Sequence, residues 1–291
     1  LRVSVGGNYR YDKWNGISQN GSNWRVPDFY KIHNLENFGT GENSGEKEVL
    51  SLYGLGTISY ADYVYLDLTY RTDWSSTLPS QNRSYSFYSS NLSFLFSEAL
   101  DLPSTILSKG AFRSSYALTG NDTGPYQTKN YYSVSQTNLP YAVGGLGSKL
   151  AFPDFKPELT TSWEIGTTLG FLDNRFEIDI TYYDARTANQ ILDVKLAPSS
   201  GFDNIKQNAR EIKNSGIEGL ISASIFRRPQ GFNWDISLNA TKNKNTVLSL
   251  SDGEERKVLA TAILDLATIE IRPGDTFGAI YGKDYVRDDH G

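Results

Sequence analysis

The sequence has no cysteine and only two histidines, and these absences exclude most enzyme chemistry. Without cysteine there is no disulfide, no thiolate metal site and no cysteine nucleophile. His33 and His290 lie in predicted loops, and neither stands beside a nucleophile motif or a set of metal ligands. We therefore expect no enzyme activity, no metal site and no cofactor.

Long hydrophobic runs, basic clusters and methionine are also missing. No segment approaches the roughly 18 consecutive apolar residues of a membrane-spanning helix. The formal net charge is −5 and the basic residues cluster only at Arg227 and Arg228, so we expect no nucleic-acid partner. The chain begins at Leu1 inside a strand-like segment. We expect it to be an internal piece of a longer protein, with the signal peptide elsewhere.

What the sequence does have is apolar–polar alternation with a period of two. This pattern puts successive side chains on opposite faces of a β-strand. It is clearest over 232–241, where Phe232, Trp234 and Ile236 alternate with Asn233 and Asp235. The pattern predicts about nine strands, at 1–12, 49–60, 63–71, 85–97, 110–119, 159–171, 175–183, 216–226 and 232–241.

Strand length and loop length both favour a transmembrane barrel. Most predicted strands reach the ~9–11 residues that a tilted strand needs to cross a bilayer, whereas strands of soluble sheets average ~5–6. Short connections at 61–62, 98–109, 173–174 and 228–231 alternate with long ones at 13–47, 73–84, 120–158 and 188–215. In an up-and-down barrel this parity puts the short turns in the periplasm and the long loops outside the cell. The fold class is therefore predicted as an all-β, antiparallel up-and-down transmembrane β-barrel.

Aromatic residues stand where a membrane interface would place them. Some flank the short turns and others lie toward the opposite strand ends, which suggests two girdles. They are Tyr60, Tyr63, Phe171, Phe176, Phe226 and Phe232 in the first group, and Tyr70, Trp74, Trp163 and Tyr182 in the second. The alternative is that they form the core of a soluble β-sandwich.

Several phrases of the sequence resemble the SusC/RagA family of TonB-linked outer-membrane proteins of Bacteroidetes. They occur in family order between about residue 50 and residue 291, and together they are specific. They are RTDWSSTLP at 71–79, SYALTGNDTGPYQ at 115–127, KPELTTSWEIGT at 156–167, TYYDARTANQI at 181–191, NSGIEG at 214–219 and IYGKDYVRDDHG at 280–291.

The resemblance implies a barrel of about 22 strands whose lumen holds a separate plug domain. It also implies a SusD-like surface lipoprotein as a lid and energy supplied through the TonB complex. Residues 1–291 would be the middle-to-late portion of that barrel, in the outer membrane, and the plug would lie outside this chain.

Candidate site residues fall into three groups. Loop aromatics beside polar residues suit sugar rings or peptides as cargo, although they could equally pack the loops together or against a lid protein. These are Trp14, Trp24, Phe29, Tyr30, Tyr126, Tyr131, Tyr132 and Tyr141. Alternation predicts lumen- or plug-facing Asp67, Arg71, Glu164, Glu177, Asp179 and Asp235, and lipid-facing Leu66, Ile178, Ile180, Trp234 and Ile236.

The leading interpretation is active import of nutrient oligomers, either glycans or peptides, with outer-membrane lipid around the barrel. A passive porin, a TonB-dependent siderophore receptor and a soluble β-sandwich binding module remain as alternatives.

Overall fold

The computed structural model describes residues 1–135, 143–250, 254–262 and 266–284. Within these ranges the chain is almost entirely β-structure, with one short helix, α1 (Phe96–Ala99), and short 3-10 turns at Ile32–Asn34, Ser80–Asn82 and Pro198–Ser200. The strands are β1 (Arg2–Trp24), β2 (Leu35–Tyr60), β3 (Val64–Ser75), β4 (Ser84–Leu95), β5 (Leu107–Asn121), β6 (Tyr132–Ser135), β7 (Val143–Leu146), β8 (Lys149–Leu150), β9 (Glu158–Phe171), β10 (Phe176–Lys195), β11 (Asn204–Phe226), β12 (Trp234–Leu250), β13 (Lys257–Thr261), β14 (Ala267–Ile271) and β15 (Ala279–Gly282).

One sheet contains most of these strands, in the order β1-β2-β3-β4-β5-β9-β10-β11-β12. Neighbours along this path are antiparallel, and β8 adds a short parallel pairing to β11. The strands β6 to β8 lie within the β5–β9 connection, so the sheet runs up and down in chain order. Each of the nine predicted strands overlaps a different strand of this path, which confirms the predicted all-β, antiparallel up-and-down arrangement.

The register places most polar side chains on one face of the sheet and most apolar ones on the other. Directly opposed residues share a face, so Asp67 lies on one face with Thr57 and Asn91, while Leu66 lies on the other with Leu92. We call these the polar face and the apolar face. Continued strand by strand, the register puts Asp67, Arg71, Glu164, Glu177, Asp179 and Asp235 on the polar face and Leu66, Ile178, Ile180, Trp234 and Ile236 on the apolar face.

Tight turns close one end of the sheet, which we call the turn end. Ala61 and Asp62 have φ values of 49° and 59°, and positive φ at two successive residues matches the right-handed twist of a hairpin. Leu172, Asp173 and Asn174 form a second turn with φ between 54° and 60°. The predicted turns at 61–62 and 173–174 are therefore correct.

The opposite end of the sheet, the loop end, differs from the prediction. Segments 13–47 and 188–215 were expected to be long loops, yet β1 continues to Trp24 and β10 and β11 extend to Lys195 and back to Asn204. The strict alternation of short and long connections is therefore wrong, and the connection 122–157 alone among the described ones is long. Residues 11–24 and 35–48 form a two-stranded arm that pairs with itself beyond β3. Both faces of this arm are exposed, so its sequence needs no apolar alternation, and residues 13–24 and 35–47 gave no strand signal.

Buried apolar clusters occur at the loop end. The first loop cluster is Leu78, Tyr85 and Phe155, with Phe87, Phe152 and Ile191 packed against it. The second loop cluster is Val247, Leu250 and Ile271, which joins β12 to the small β13–β15 sheet that the sequence pattern did not predict. In the part of the chain that the structure describes, no helix is long and apolar enough to cross a membrane.

Candidate functional site

A cavity of about 410 Å³ opens on the polar face near the loop end, and we call it the polar pocket. It lies across five adjacent strands, β1 to β5. The antiparallel register places residues that are far apart in the sequence at the same height along these strands. The residues that line it are Asn8, Arg10, Lys47, Val49, Arg71, Asp73, Tyr85, Phe87, Thr119, Gly120, Asn121 and Asp122.

One wall of the polar pocket is an ion pair on β3. Arg71 donates from Nε to Asp73 Oδ1 at 2.6 Å and from Nη2 to Asp73 Oδ2 at 3.1 Å, and Nη2 also donates to the Ser51 hydroxyl at 2.9 Å. The two residues point to the same face because they are two apart on one strand. The side chain of Asp73 is 9% exposed and that of Arg71 is 42% exposed. The carboxylate therefore lies beneath the guanidinium.

A second buried ion pair ties the end of β5 to β2 and β3. The Lys47 ammonium and the Ser75 hydroxyl both donate to the carboxylate of Asp122, and Ser75 also contacts the Thr77 hydroxyl at 2.9 Å. The side chain of Asp122 is 5% exposed. Because Asp122 begins the long connection 122–157, this cluster fixes where that connection leaves the sheet.

Aromatic side chains form the floor between the polar pocket and the first loop cluster. The rings of Tyr85 and Phe87 meet edge to face with centroids 5.2 Å apart. Phe87 also lies against Gly120, where a Cβ would come within 2.7 Å of the ring and 2.8 Å of the Glu158 carbonyl oxygen. Glycine is thus required at 120 for the close approach of β4, β5 and β9.

A second cavity, of about 510 Å³, continues along the sheet from the polar pocket. The two cavities share Asn8, Arg71, Phe87 and Thr119, and the second is also lined by Tyr53 and Leu55. We call the two together the trough. Its polar end lies toward the loop end, and its other part presents more apolar surface.

Nearer the turn end, most of the predicted charged residues have a hydrogen-bond or ion-pair partner. Arg113, which the sequence reasoning missed, donates from Nη1 and Nη2 to the two carboxylate oxygens of Asp179 at 3.0 and 2.9 Å, and Thr168 donates to the same group at 2.6 Å. Asp67 accepts from the Thr57 hydroxyl at 2.7 Å and Asp235 from Ser224 at 2.5 Å. Glu177 lies 3.6 Å from Lys109, and Glu164 is exposed.

The apolar face carries two rows of aromatic side chains. At the turn end Phe171 and Phe176 lie 6.2 Å apart, and Phe226 stacks on Trp234 at 6.2 Å. Further along the strands Tyr88 stacks on Tyr116 at 6.2 Å and Trp163 meets Tyr182 edge to face at 6.1 Å. The stretch of β9 from Trp163 to Phe171 is nine residues long, which is within the ~9–11 residues that a tilted strand needs to cross a bilayer. Exposed aliphatic residues fill the interval, among them Leu68, Leu92, Ile180, Ile217, Ile221 and Leu238.

The predicted binding aromatics fall in two separate places, and none of the seven that the structure describes lines the polar pocket. Trp14 and Trp24 were placed in a loop, but both are residues of β1. The ring of Trp14 covers Gly45 on the paired strand, where a Cβ would overlap it, so its present contact is structural. Trp24 meets Tyr30 edge to face at 5.4 Å at the tip of the arm.

The other predicted aromatics lie in the β5–β9 connection. Tyr126 and Tyr131 meet edge to face at 6.1 Å, and Tyr132 is exposed on β6. Tyr141 lies outside the described residues. The sequence could not identify the polar pocket instead, because its members are polar residues on separate strands that only the register brings together.

Histidine and carboxylate groups do not form a metal site in the described ranges. No three His, Asp or Glu residues there lie close enough to hold an ion. His33 lies in the arm connection, with its ring 5.5 Å from that of Phe29. His290 is outside the described residues.

Comparison with known proteins agrees with this geometry. Residues 1–285 match the family model described as TonB dependent receptor-like, beta-barrel. The chain is 28% identical over 247 residues to TonB-dependent receptor P3 of Formosa agariphila, covering 82% of this chain and 24% of that protein. It is 26% identical over 266 residues to TonB-dependent receptor SusC of Bacteroides thetaiotaomicron, covering 87% of this chain and 26% of that protein.

Among solved structures, that of the RagAB peptide transporter superposes with a TM-score of 0.77 at 21% identity, covering 94% of this chain and 30% of that one. The likeness supports the fold. The chain spans about a quarter of the length of the curated relatives that it matches. With the family model matching nearly its whole length, the chain belongs to the TonB-dependent receptor β-barrel family of outer-membrane transporters.

Proposed function

We propose that this chain is the middle-to-late part of the barrel wall of a SusC-like importer, energised through TonB. The observation that carries the proposal is the separation of the two faces. The apolar face leaves aliphatic side chains such as Ile180 and Leu238 exposed between two aromatic rows, whereas the polar face carries ion pairs such as Arg71–Asp73. Lipid would cover the first face, and the second would line the lumen or meet a plug domain outside this chain.

The cargo that we propose is a nutrient oligomer, either a peptide or a glycan. The trough favours an elongated cargo, because its two cavities of about 410 and 510 Å³ are continuous and together exceed what one sugar or amino-acid residue would fill. RagAB is described as a peptide transporter, which is consistent with one of these cargo classes.

The partners that we propose are a SusD-like surface lipoprotein at the loop end and the TonB complex through segments outside this chain. The loop end presents aromatic surface at Trp24, Tyr30, Tyr126, Tyr131 and Tyr132, and aromatic side chains are the residue type that most often anchors protein interfaces. Tyr141 belongs to the same proposal from its place in the sequence. The loop end would then lie outside the cell and the turn end in the periplasm.

Of the three alternative functions named from the sequence, two remain. Membership of a transmembrane barrel family excludes the soluble β-sandwich. Among TonB-dependent transporters, siderophore import is the competing cargo class, and a passive porin would need no energy supply.

Uptake by a host strain tests the proposal. The gene for the full-length transporter is deleted, and uptake of a fluorescent oligopeptide mixture, a fluorescent oligosaccharide mixture and a ferric catecholate is measured, with and without depletion of TonB. We expect the deletion and the depletion to abolish uptake of one oligomer class. Uptake that survives depletion would identify a passive porin, and loss of ferric catecholate uptake alone would identify a siderophore receptor.

A further inference from the structure

The polar pocket has buried acids and exposed bases. The side chains of Asp122 and Asp73 are 5% and 9% exposed, whereas those of Arg71 and Arg10 are 42% and 57% exposed. Each buried carboxylate is already neutralised, by Lys47 and by Arg71 respectively. The exposed charged groups of the lining are therefore the two guanidinium groups, and Arg10 is paired with Asp12, which is 44% exposed and lies outside the lining.

The two exposed guanidinium groups keep unused donors. The Nε and Nη2 groups of Arg71 donate hydrogen bonds to Asp73 and Ser51. Its Nη1 has no hydrogen-bond partner among the described residues. Arg10 forms an ion pair with Asp12, with Nε 2.9 Å from the carboxylate, and its terminal nitrogens donate no hydrogen bond within the same ranges. Arginine presents its N–H groups in a planar fork that matches a carboxylate.

A second arginine–aspartate pair on the same face shows what a structural pair looks like. Arg113 uses both terminal nitrogens on Asp179, Thr168 and Thr181. The terminal nitrogens of Arg113 are therefore all hydrogen-bonded to residues of the sheet itself. Arg113 thus differs from Arg71 and Arg10, which have unpaired donors in the polar pocket, although all three lie on the polar face.

Neutral polar groups complete the lining around these donors. Asn8 and Asn121 bring side-chain amides, which donate as well as accept, and Phe87 lines both cavities of the trough. A cargo chain lying along the trough would place its apolar part in the second cavity and a terminal or side group in the polar pocket.

We propose that the polar pocket binds a carboxylate group of the cargo, with Arg10 and Arg71 as its donors. The carboxylate would be the C-terminus of a peptide or the uronic acid of a glycan. This inference rests on the proposed function and deepens it by naming the group that is recognised.

Binding by the full-length transporter, purified in detergent, tests the inference with two pairs of probes. The first pair is pentaalanine with a free C-terminal carboxylate and the same peptide as its C-terminal amide. The second pair is trigalacturonic acid and its methyl ester. The pocket variants are Arg10→Gln, and Arg71→Gln combined with Asp73→Asn, which removes the guanidinium without leaving a buried carboxylate unpaired. The matched control is Arg113→Gln combined with Asp179→Asn.

We expect one carboxylate probe to bind about tenfold more tightly than its neutral partner, since hydrogen bonds between charged groups are the stronger class. Both pocket variants should bring this ratio close to one, and the control should keep it. The pair that shows the preference identifies the source of the carboxylate. Equal binding within both pairs, or a ratio that survives in the pocket variants, would overturn the inference.

The same measurements distinguish two further outcomes. Loss of thermal stability in the pocket variants with an unchanged binding ratio would mean that a plug carboxylate fills the polar pocket, which also overturns the inference. A transporter that imports oligomers in a TonB-dependent way and still binds both members of each pair equally would refute the carboxylate site alone and leave the proposed function standing.

Discussion

The apolar face of the main sheet, which we call the wall, leaves its hydrophobic side chains exposed, whereas the loop end buries them. Between the aromatic rows, Ile180, Ile236 and Leu238 are exposed on the sheet surface. At the loop end, Phe155, Val247 and Ile271 are completely buried within clusters drawn from several connections. The wall depends on its surroundings to cover its apolar side chains, whereas the loop end covers its own, as a protein in water must.

The largest expected effect of a substitution is at the loop end. Phe155→Ala should lower the local stability of the first loop cluster by about 3–5 kcal/mol, because a fully buried ring leaves a cavity. Protease cleavage within 122–157 should become faster, while the heat stability of the wall stays unchanged. Phe29→Ala, at an exposed ring on the arm connection, is the control and should leave cleavage unaffected. Equal cleavage in the two variants would show that the loop end has no folded core.

A charge on the apolar face should be the next most disruptive change. Ile180→Arg is expected to cost about 2–4 kcal/mol near the bilayer midplane, because the guanidinium would face hydrocarbon. Ser237→Arg, on the polar face, should cost much less. Unfolding of the two variants in lipid vesicles measures both values. Similar losses at the two positions would contradict the assignment of the faces.

Substitution of exposed tyrosines at the loop end should lower binding or uptake without lowering the stability of the fold. Tyr131→Ala combined with Tyr132→Ala removes exposed rings, so we expect the melting temperature to stay the same. Binding of the proposed lipoprotein partner, or uptake of cargo, should fall by about tenfold if these rings are anchors. Unchanged binding and uptake would mean that the rings only pack the connection.

The smallest expected effect is a pH response of the arm. The hydrogen bond from the Lys13 ammonium, 2.7 Å away, holds the pKa of the Glu46 carboxyl below its ordinary value. The contribution of this carboxylate is therefore complete above its ordinary pKa of about 4.3 and is lost as the pH falls through the lowered value.

Fluorescence of Trp14, whose ring covers Gly45 beside Glu46, reports this change in a variant that keeps no other tryptophan. We expect a transition below about pH 4.3, and its loss in Lys13→Gln. The same transition in Lys13→Gln would show that the ion pair does not hold the arm.

The contrast between the two regions also explains what could be predicted from the sequence. In the wall one face is mostly apolar and the other mostly polar, so alternation such as Phe176–Ile180 gives strand, register and face together. In the arm both faces meet water, and residues 13–24 and 35–47 therefore looked like loop. Strand formation there rests on backbone pairing and on local contacts such as Trp14 over Gly45.

The candidate site was less predictable for a related reason. Arg71 was identified as a residue of the polar face, but its neighbours in the polar pocket come from strands far away in the sequence. Lys47 and Asp122 are 75 residues apart and meet because of the register of β2 to β5. No local spacing encodes such a contact, and the resemblance to a family gives the barrel without giving the pocket.

Side-chain accessibility along β12 tests the central claim, that the apolar face meets lipid and the polar face the lumen. Single cysteines at Ile236, Ser237, Leu238 and Asn239 of the full-length transporter can carry a nitroxide label, and this chain contributes no native cysteine to the background. In outer membranes, labels at 236 and 238 should be relaxed mainly by oxygen and labels at 237 and 239 mainly by a water-soluble nickel complex. Equal access along the strand, or the reverse alternation, would contradict the account.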